Sequence, residues 1–234
     1  MTNYVFNAAL LEMPSRVSVI DPCPYGREGW HYVFQSTNGK NNPSDVFVAE
    51  SILDLHANPI WLDCIHTRLS SPHYLILRLP SHAQQAILMV LQLGEFTPAL
   101  LHFQCLVVIT PFSQNATRHI LACSGIQRAV PIVIGRHPLR DLRHYILLLS
   151  RQTICSRPYP KKNLSEEDDY LMLTSAERKV LRQTLSEIPM YRQVRLNNSL
   201  TKTIYSQRRS ALLKFGVRSV LDLLRVFICN KYKD

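Results

Sequence analysis

The chain is poor in glycine and contains none of the common enzyme signature motifs. It has 7 glycines among 234 residues, so glycine-rich loops that cradle phosphates are scarce. The motifs G-x-S-x-G, G-x-x-x-x-G-K-[ST] and G-x-G-x-x-G do not occur. We therefore predict that the protein is not an enzyme and binds no cofactor.

The chain also lacks a cysteine pattern typical of disulfide or zinc sites, a long uninterrupted apolar run and a secretion signal. Six cysteines do not suggest a disulfide scaffold, and the close Cys/His pairs lack the spacing of a zinc site, so no metal is expected. The most apolar stretch, residues 86–112, is interrupted by polar residues and a proline. Residues 1–20 show no basic segment ahead of an apolar one. We expect a cytoplasmic protein without membrane contact.

The charge that is present is unevenly distributed along the chain. Residues 1–150 contain 10 basic and 9 acidic side chains, whereas residues 151–234 contain 17 basic and 8 acidic ones. Such asymmetry favours a basic nucleic-acid-binding domain, although a charge that serves only solubility is the alternative. The segment RPYPKKNLSEEDD has little that could pack. We predict a domain at 1–150, a linker at 151–172 and a second domain at 173–234.

The second domain shows the pattern of four helices. Thr174 and Glu177 form a capping box, and an apolar face follows up to Pro189. We predict a short second helix at 190–196, a turn at 197–199 and a third helix at 201–215 that stops at Gly216. Ser219 starts a fourth helix.

The third helix has a polar stripe suited to the major groove of DNA. Lys202, Tyr205, Ser206 and Arg209 recur at i, i+3, i+4 and i+7, with Arg208 and Lys214 flanking them. Arginine reads guanine edges, while lysine and serine hold phosphates. The alternative is an ordinary solvated helix face.

The fourth helix is apolar almost all round, so one side needs a partner beyond the small core of the domain. Either it is a dimer contact or it is buried against the first domain. Its candidate contact residues are Val220, Leu223, Leu224 and Phe227.

These segments resemble the LuxR/FixJ-type helix-turn-helix family. LTSAERKVL at 173–181 is similar to the family's opening, and KTIYSQRRSALLKFGVRS at 202–219 to its recognition helix and following turn. Within that family the chain resembles the RcsB-type regulators and their auxiliary relatives BglJ and YjjQ, chiefly through SQRRSALLKFGV. One departure is Glu187, where the family usually has glycine. The second helix also fits the family pattern only with a slip of one residue.

That resemblance implies a bacterial transcription regulator. It implies that Lys202, Thr203, Tyr205, Ser206 and Arg209 approach double-stranded DNA and that the fourth helix dimerises. The implied partner in the dimer is a second copy of the chain or an RcsB-type regulator. RNA polymerase is a further partner that the resemblance allows.

The first domain alternates strands and helices. Strands are predicted at 16–20, 45–49, 74–79, 105–110 and 131–135. Helices are predicted at 28–35, 51–69, 81–93 with an extension to 102, 115–123 and 139–150. Continuous apolar strands such as LVVIT indicate a five-stranded parallel sheet with helices on both faces.

This domain resembles a response-regulator receiver, but the residues for phosphorylation are missing. The family's first, fourth and fifth strands are similar to the segments VSVIDPCPYGREG, LVVITP and VIGRHPLRDL, respectively. Arg78 stands where the resemblance implies an acceptor aspartate, and Arg136 or His137 where it implies a lysine, so that only Asp21 and Thr110 remain of the site. We therefore expect a degenerate receiver without a phospho-switch, in which Arg78 and Asp21 form an ion pair. The alternative is an α/β domain unrelated to receivers.

Together these observations predict a phosphorylation-independent DNA-binding regulator that acts as a dimer or as an auxiliary subunit of an RcsB-type heterodimer. The alternative is a protein-interaction module that titrates another regulator and binds DNA weakly by itself. Salt-dependent DNA binding distinguishes the two.

Overall fold

A computed structural model describes residues 16–35, 45–66, 73–96, 103–126, 130–135 and 172–229 of the chain. These residues form an α/β part followed by a helical part. The strands are β1 (Arg16–Ile20), β2 (Asp45–Ala49), β3 (His73–Arg78), β4 (Cys105–Thr110) and β5 (Ile132–Ile134). The helices of the α/β part are α1 (Pro24–Gln35), α2 (Ile52–Ala57), α3 (Pro59–His66), α4 (Ala83–Glu95) and α5 (Gln114–Cys123). Those of the helical part are α6 (Ser175–Leu185), α7 (Met190–Asn197), α8 (Thr201–Lys214) and α9 (Val220–Cys229).

The strands form one parallel sheet in the order β2-β1-β3-β4-β5. All six residues of β4 are buried, as are five of the six in β3, because apolar clusters cover both faces. Trp30 and Phe34 of α1 cover one face, and α2–α5 contribute to the cluster on the other. The predicted five-stranded parallel sheet is confirmed, and its order is that of the flavodoxin-like doubly wound folds.

The single helix predicted at 51–69 is wrong, because two helices stand in its place. Asn58 adopts an extended conformation (φ −79°, ψ 115°) and separates α2 from α3. Its side-chain oxygen accepts hydrogen bonds from the amides of Ile60 and Trp61, at 3.0 and 3.2 Å, and so caps α3. Pro59 disfavours helical geometry at the residue before it and fits the first position of the new helix, where no amide hydrogen bond is needed.

Other boundaries move by a few residues. Helix α1 begins at Pro24 rather than at residue 28, and α4 ends at Glu95 rather than at 93. Strand β3 lies one residue earlier than predicted, and β5 covers only Ile132–Ile134. The predicted extension at 97–102, the helix at 139–150 and all but the last residue of the linker at 151–172 lie outside the described residues.

The helical part begins as predicted with a capping box. The hydroxyl of Thr174 accepts a hydrogen bond from the amide of Glu177 at 3.2 Å, and the Glu177 carboxylate accepts one from the amide of Thr174 at 2.8 Å. Helix α6 ends at Leu185, before Pro189, and the chain turns at Glu187. Glu187 has a φ of 57°, in the left-handed region that favours glycine. The fold therefore keeps the turn for which the resembled family uses glycine, at a cost of about 1 kcal/mol.

The two parts share one apolar core. A single buried cluster contains Leu77 and Ile87 of the α/β part together with Leu181 and Phe227 of the helical part. The rings of Phe112 and Phe227 lie 4.5 Å apart. This confirms that α9, the predicted fourth helix of the second domain, is buried against the α/β part, which was the alternative to a dimer contact.

Polar contacts reinforce this junction. Arg178 donates to the carbonyl of Gly94 at 2.8 Å, and Arg182 forms an ion pair with Glu95. The amide of Leu173 donates to the carbonyl of Cys123 at 2.9 Å. These contacts attach the helical part to α4 and α5. Among the described helices, none is both long and apolar enough to cross a membrane.

Candidate nucleic-acid interface

The residues predicted to form a degenerate phospho-site lie at the carboxyl edge of the sheet, where Asp21 follows β1 and Arg78 ends β3. The Arg78 guanidinium and the Asp21 carboxylate lie 3.0 Å apart, which confirms the predicted ion pair. Asp21 is 1% exposed, and its two oxygens also accept hydrogen bonds from the amide of Cys23 and the indole of Trp30, both at 2.9 Å. The buried carboxylate is therefore fully engaged by protein groups.

Gly26 leaves room for this ion pair. A Cβ atom at that position would lie 2.2 Å from Asp21 Oδ2 and 2.6 Å from Arg78 Nη1. Real Cβ atoms do not approach polar atoms so closely. Any larger residue at position 26 would displace the pair.

The residues at this edge do not fit the Mg²⁺ ion that a receiver uses. Mg²⁺ needs several oxygen ligands in octahedral geometry, and Asp21 is the one carboxylate among the described residues that line the cleft there. The hydroxyl of Thr110 bonds the amide of Phe112 and the hydroxyl of Thr117, both at 3.1 Å. No group of three potential metal ligands occurs among the described residues, and Arg136 lies outside them.

Helix α7, which precedes the polar stripe, packs through polar side chains. Gln193 is its buried residue, while Leu196 is 51% exposed. Asn197 donates to the side chain of Gln183 on α6 at 2.6 Å and to the backbone carbonyl of Gln193 at 2.7 Å. Asn198 then adopts a left-handed conformation (φ 45°) that turns the chain into α8. The slipped helix predicted from the sequence is therefore fixed to α6 by hydrogen bonds rather than by an apolar face.

Helix α8 presents the predicted stripe to solvent. Lys202, Thr203, Tyr205, Ser206 and Arg209 are all exposed, and the opposite face buries Ile204, Ala211 and Leu212. The guanidinium of Arg208 lies 4.8 Å from the centre of the Tyr205 ring, in cation–π contact. Lys202 and Arg209 have no carboxylate partner within the described residues. The structure therefore gathers five of the predicted DNA-contacting residues on one open helix face.

Lys214 is placed elsewhere. Its ammonium lies 2.7 Å from a carboxylate oxygen of Glu177 and donates to the carbonyl of Met172 at 2.8 Å. Ser210 donates to the other oxygen of Glu177 at 2.6 Å. Although burial opposes ionisation, Lys214, Ser210 and Thr174 together lower the pKa of the Glu177 carboxyl. Lys214 therefore links α8 to α6 and is not part of the exposed stripe.

Two residues that follow α8 lie beside its polar stripe, and the sequence pattern did not indicate this position. Arg218 and Ser219 lie across a groove of about 480 Å³ from Tyr205, Arg208 and Arg209. The turn at Gly216 (φ 70°) brings them back toward α8. A cation and a hydroxyl directly after a glycine turn were the available signal, but only the tertiary structure sets them beside the stripe.

Helix α9 divides the predicted dimer residues between two faces. Leu223 and Phe227 are 3% and 1% exposed and belong to the shared core. Val220 and Leu224 are partly buried, and Val220 also lines the basic groove. The outward face instead presents Leu221 and Ile228, which are 55% and 51% exposed. An outward contact of α9 would therefore use Leu221 and Ile228 together with Leu224, which is the one residue it shares with the set predicted from the sequence.

Comparison with known proteins gives a likeness in fold. No protein-family model and no curated protein match the chain. The structure of RcsB from Salmonella enterica serovar Typhimurium bound to promoter P1flhDC is 20% identical, with 90% of this chain and 98% of that chain covered and a TM-score of 0.50. The same regulator bound to promoter rprA is 20% identical, with 93% and 98% covered and a TM-score of 0.49. The low-resolution structure of the response regulator StyR is 20% identical, with 90% and 96% covered and a TM-score of 0.36. The chain thus has the fold of a receiver-type α/β domain followed by a helical domain.

Proposed function

We propose that the protein is a transcription regulator that binds double-stranded DNA through α8 and acts without phosphorylation. The observation that carries this proposal is the open row Lys202, Tyr205, Ser206 and Arg209, which follows a short helix and a tight turn. A helix of this width fits the major groove, where such side chains reach base edges and phosphates. The proposal is in keeping with the fold shared with RcsB, which was solved bound to promoter P1flhDC.

The residues at the carboxyl edge of the sheet support independence from phosphorylation. The position that ends β3 carries Arg78, which offers no acceptor carboxylate, and Asp21 is engaged by three donors. A site that fits no Mg²⁺ supports a mechanism without phosphoryl transfer to this chain. The Arg78–Asp21 ion pair, whose carboxylate is buried, would instead hold the carboxyl edge of the sheet in one arrangement.

DNA recognition would divide between reading and positioning. Arg209 would donate two parallel hydrogen bonds to a guanine edge, while Lys202 and Ser206 on the same row would contact flanking phosphates. Arg208, held against the Tyr205 ring, and Arg218 border the groove beside that row. We assign these two to the DNA backbone.

The test is DNA binding by the full-length protein against a randomised duplex library, followed by anisotropy titration on a selected and a scrambled duplex. We expect Arg209→Ala to weaken binding to the selected duplex 10- to 100-fold, about 1–3 kcal/mol, and to reduce discrimination. The matched control is Arg118→Ala, which removes an exposed arginine of α5 and should leave both affinities unchanged. If the two variants had equal effects, the stripe would be an ordinary solvated helix face and not a DNA-binding surface.

The protein would act as a dimer, with itself or with an RcsB-type partner. The outward face of α9 presents Leu221 and Ile228 beside Arg225, and these two apolar side chains are uncovered within the described residues. Two recognition helices set about one DNA turn apart would then read two half-sites. Ile228→Glu should abolish self-association in analytical ultracentrifugation with little loss of stability, whereas Val226→Glu, which adds the same charge to a 45% exposed residue on the other side of the helix, serves as the control.

A second candidate function is titration of another regulator with weak DNA binding. It is favoured by the polar packing of α7, which leaves Leu196 exposed and weakens the scaffold under α8. Repeating the DNA titration with an RcsB-type partner separates the cases. Binding by the protein alone indicates a self-sufficient regulator, binding only in the mixture an auxiliary subunit, and binding in neither a titrating module.

A further inference from the structure

A cleft of about 370 Å³ opens at the carboxyl edge of the sheet, beside the Asp21–Arg78 pair. It lies between β1 and β3, where the order β2-β1-β3 reverses the direction of the chain connections. Open α/β sheets bind their ligands at such switch points, because the loops diverge there and leave a crevice. The volume is within the range of sites for small molecules.

Three side chains that line this cleft, Arg78, Ser81 and Gln85, can donate hydrogen bonds to a ligand. Arg78 uses one nitrogen for Asp21, its side chain is 42% exposed, and within the described residues its remaining N–H groups are unbound. Ser81 and Gln85 are exposed at the rim and likewise form no hydrogen bond within the described part of the chain. Both oxygens of the Asp21 carboxylate are already engaged, so the cleft offers donors and no free acidic acceptor.

We propose that this cleft binds a small metabolite through an oxyanion head group, a carboxylate or a phosphate, which the Arg78 guanidinium holds. A guanidinium presents its donors in a planar fork that matches two oxygens of such a group. The Asp21 pair fixes one side of the fork, so that the other side is aimed into the cleft at little entropic cost. Ser81 and Gln85 would add hydrogen bonds, and the apolar walls formed by Pro22, Leu79 and Ile109 would cover the remainder of the ligand.

The test is an amide-resolved NMR titration of the full-length protein with sodium phosphate and, separately, with sodium acetate, using sodium chloride at equal ionic strength as the blank. For these minimal probes we expect saturable shifts of the amides of residues 21, 23, 78, 79, 81 and 85, with a dissociation constant on the order of 1–10 mM. Saturation by phosphate alone identifies a phosphate head group, and saturation by acetate as well identifies a carboxylate-compatible site; both support the proposal.

Variants separate this cleft from other basic surfaces. Arg78→Gln should weaken binding at least fivefold, while Arg118→Gln, an exposed arginine outside the cleft, should leave it unchanged. Because Arg78→Gln also removes the ion pair, the double variant Ser81→Ala/Gln85→Ala provides a second measurement that keeps Asp21 paired, with a two- to fivefold loss expected. Shifts confined to residues 202–219, shifts that do not saturate, or binding that neither cleft variant alters would overturn the proposal.

Discussion

Apart from Arg118, the described arginines of the α/β part differ from the cations on the α8 surface in what they contact. Arg16, Arg27 and Arg78 lie 3.1, 3.5 and 3.0 Å from the carboxylates of Asp45, Glu50 and Asp21. Within the described residues, Lys202, Arg209 and Arg218 have no such partner. Net charge therefore does not by itself locate a candidate binding surface. The candidate on α8 rests on cations without carboxylate partners, whereas the candidate in the cleft rests on the Arg78 N–H groups that Asp21 does not use.

The helical part shows the same division internally. Its inward cations are engaged where it meets the α/β part, as with Arg182 and Glu95, or between its own helices, as with Lys214 and Glu177. Its outward cations lie on α8 and the following turn, and also on α7 at Arg192 and Arg195 and on α9 at Arg225. Among the described residues, the basic side chains of the helical part thus either attach its helices or remain exposed, where they are available for the polyanion that we propose.

The largest expected effect is on stability, and it comes from the Arg78–Asp21 ion pair of the α/β part. Arg78→Ala would leave the carboxylate of Asp21, which is 1% exposed, without its counter-charge. We expect a loss of about 2–3 kcal/mol in the free energy of unfolding, below the usual cost of breaking a buried pair because Arg78 itself is partly exposed. Urea denaturation at pH 7 measures it, and a loss below about 0.5 kcal/mol, as expected for the control Arg118→Ala, would contradict a structural role for the pair.

An intermediate effect on stability is expected from the Lys214–Glu177 ion pair of the helical part. Glu177 has a lowered pKa, so its contribution to stability is present above the pKa of the unfolded state and is lost as pH falls through the lower folded value. Glu177→Gln should cost about 1–2 kcal/mol at pH 7, with a difference that shrinks below about pH 4.5. Urea denaturation at several pH values measures this. A difference that does not depend on pH would show that the Lys214 contact acts without the charge of Glu177.

The smallest effect is expected from a free cation at the edge of the groove. Arg218→Ala should leave stability within about 0.5 kcal/mol and weaken binding to selected and scrambled duplexes alike. The slope of log affinity against log salt should fall by about 1, because one phosphate contact is lost. An unchanged slope would limit the DNA surface to α8 itself.

Much of the fold could be predicted because the local signals and the tertiary structure agree. The apolar run of β4 indicated a strand covered on both faces, and Thr174 with Glu177 indicated a helix start. The helix at 51–69 was predicted wrongly because its apolar pattern continues past Pro59. The Asn58-Pro59 pair was the available signal for a break, and the extended backbone at Asn58 shows that the break occurs there. The Asp21–Arg78 contact could be predicted from charges at the ends of two strands that the receiver resemblance sets side by side.

The amino-acid sequence by itself determined the two-part organisation, the parallel sheet and the polar stripe of α8, since each depends on periodicity or charge within a single segment. Only the tertiary structure decided which face of α9 is core, that Lys214 binds Glu177, and that Arg218 returns to the stripe across a groove. These outcomes depend on contacts between segments far apart in the chain, and a helix that is apolar on every side carries no local signal of which side its neighbours will cover.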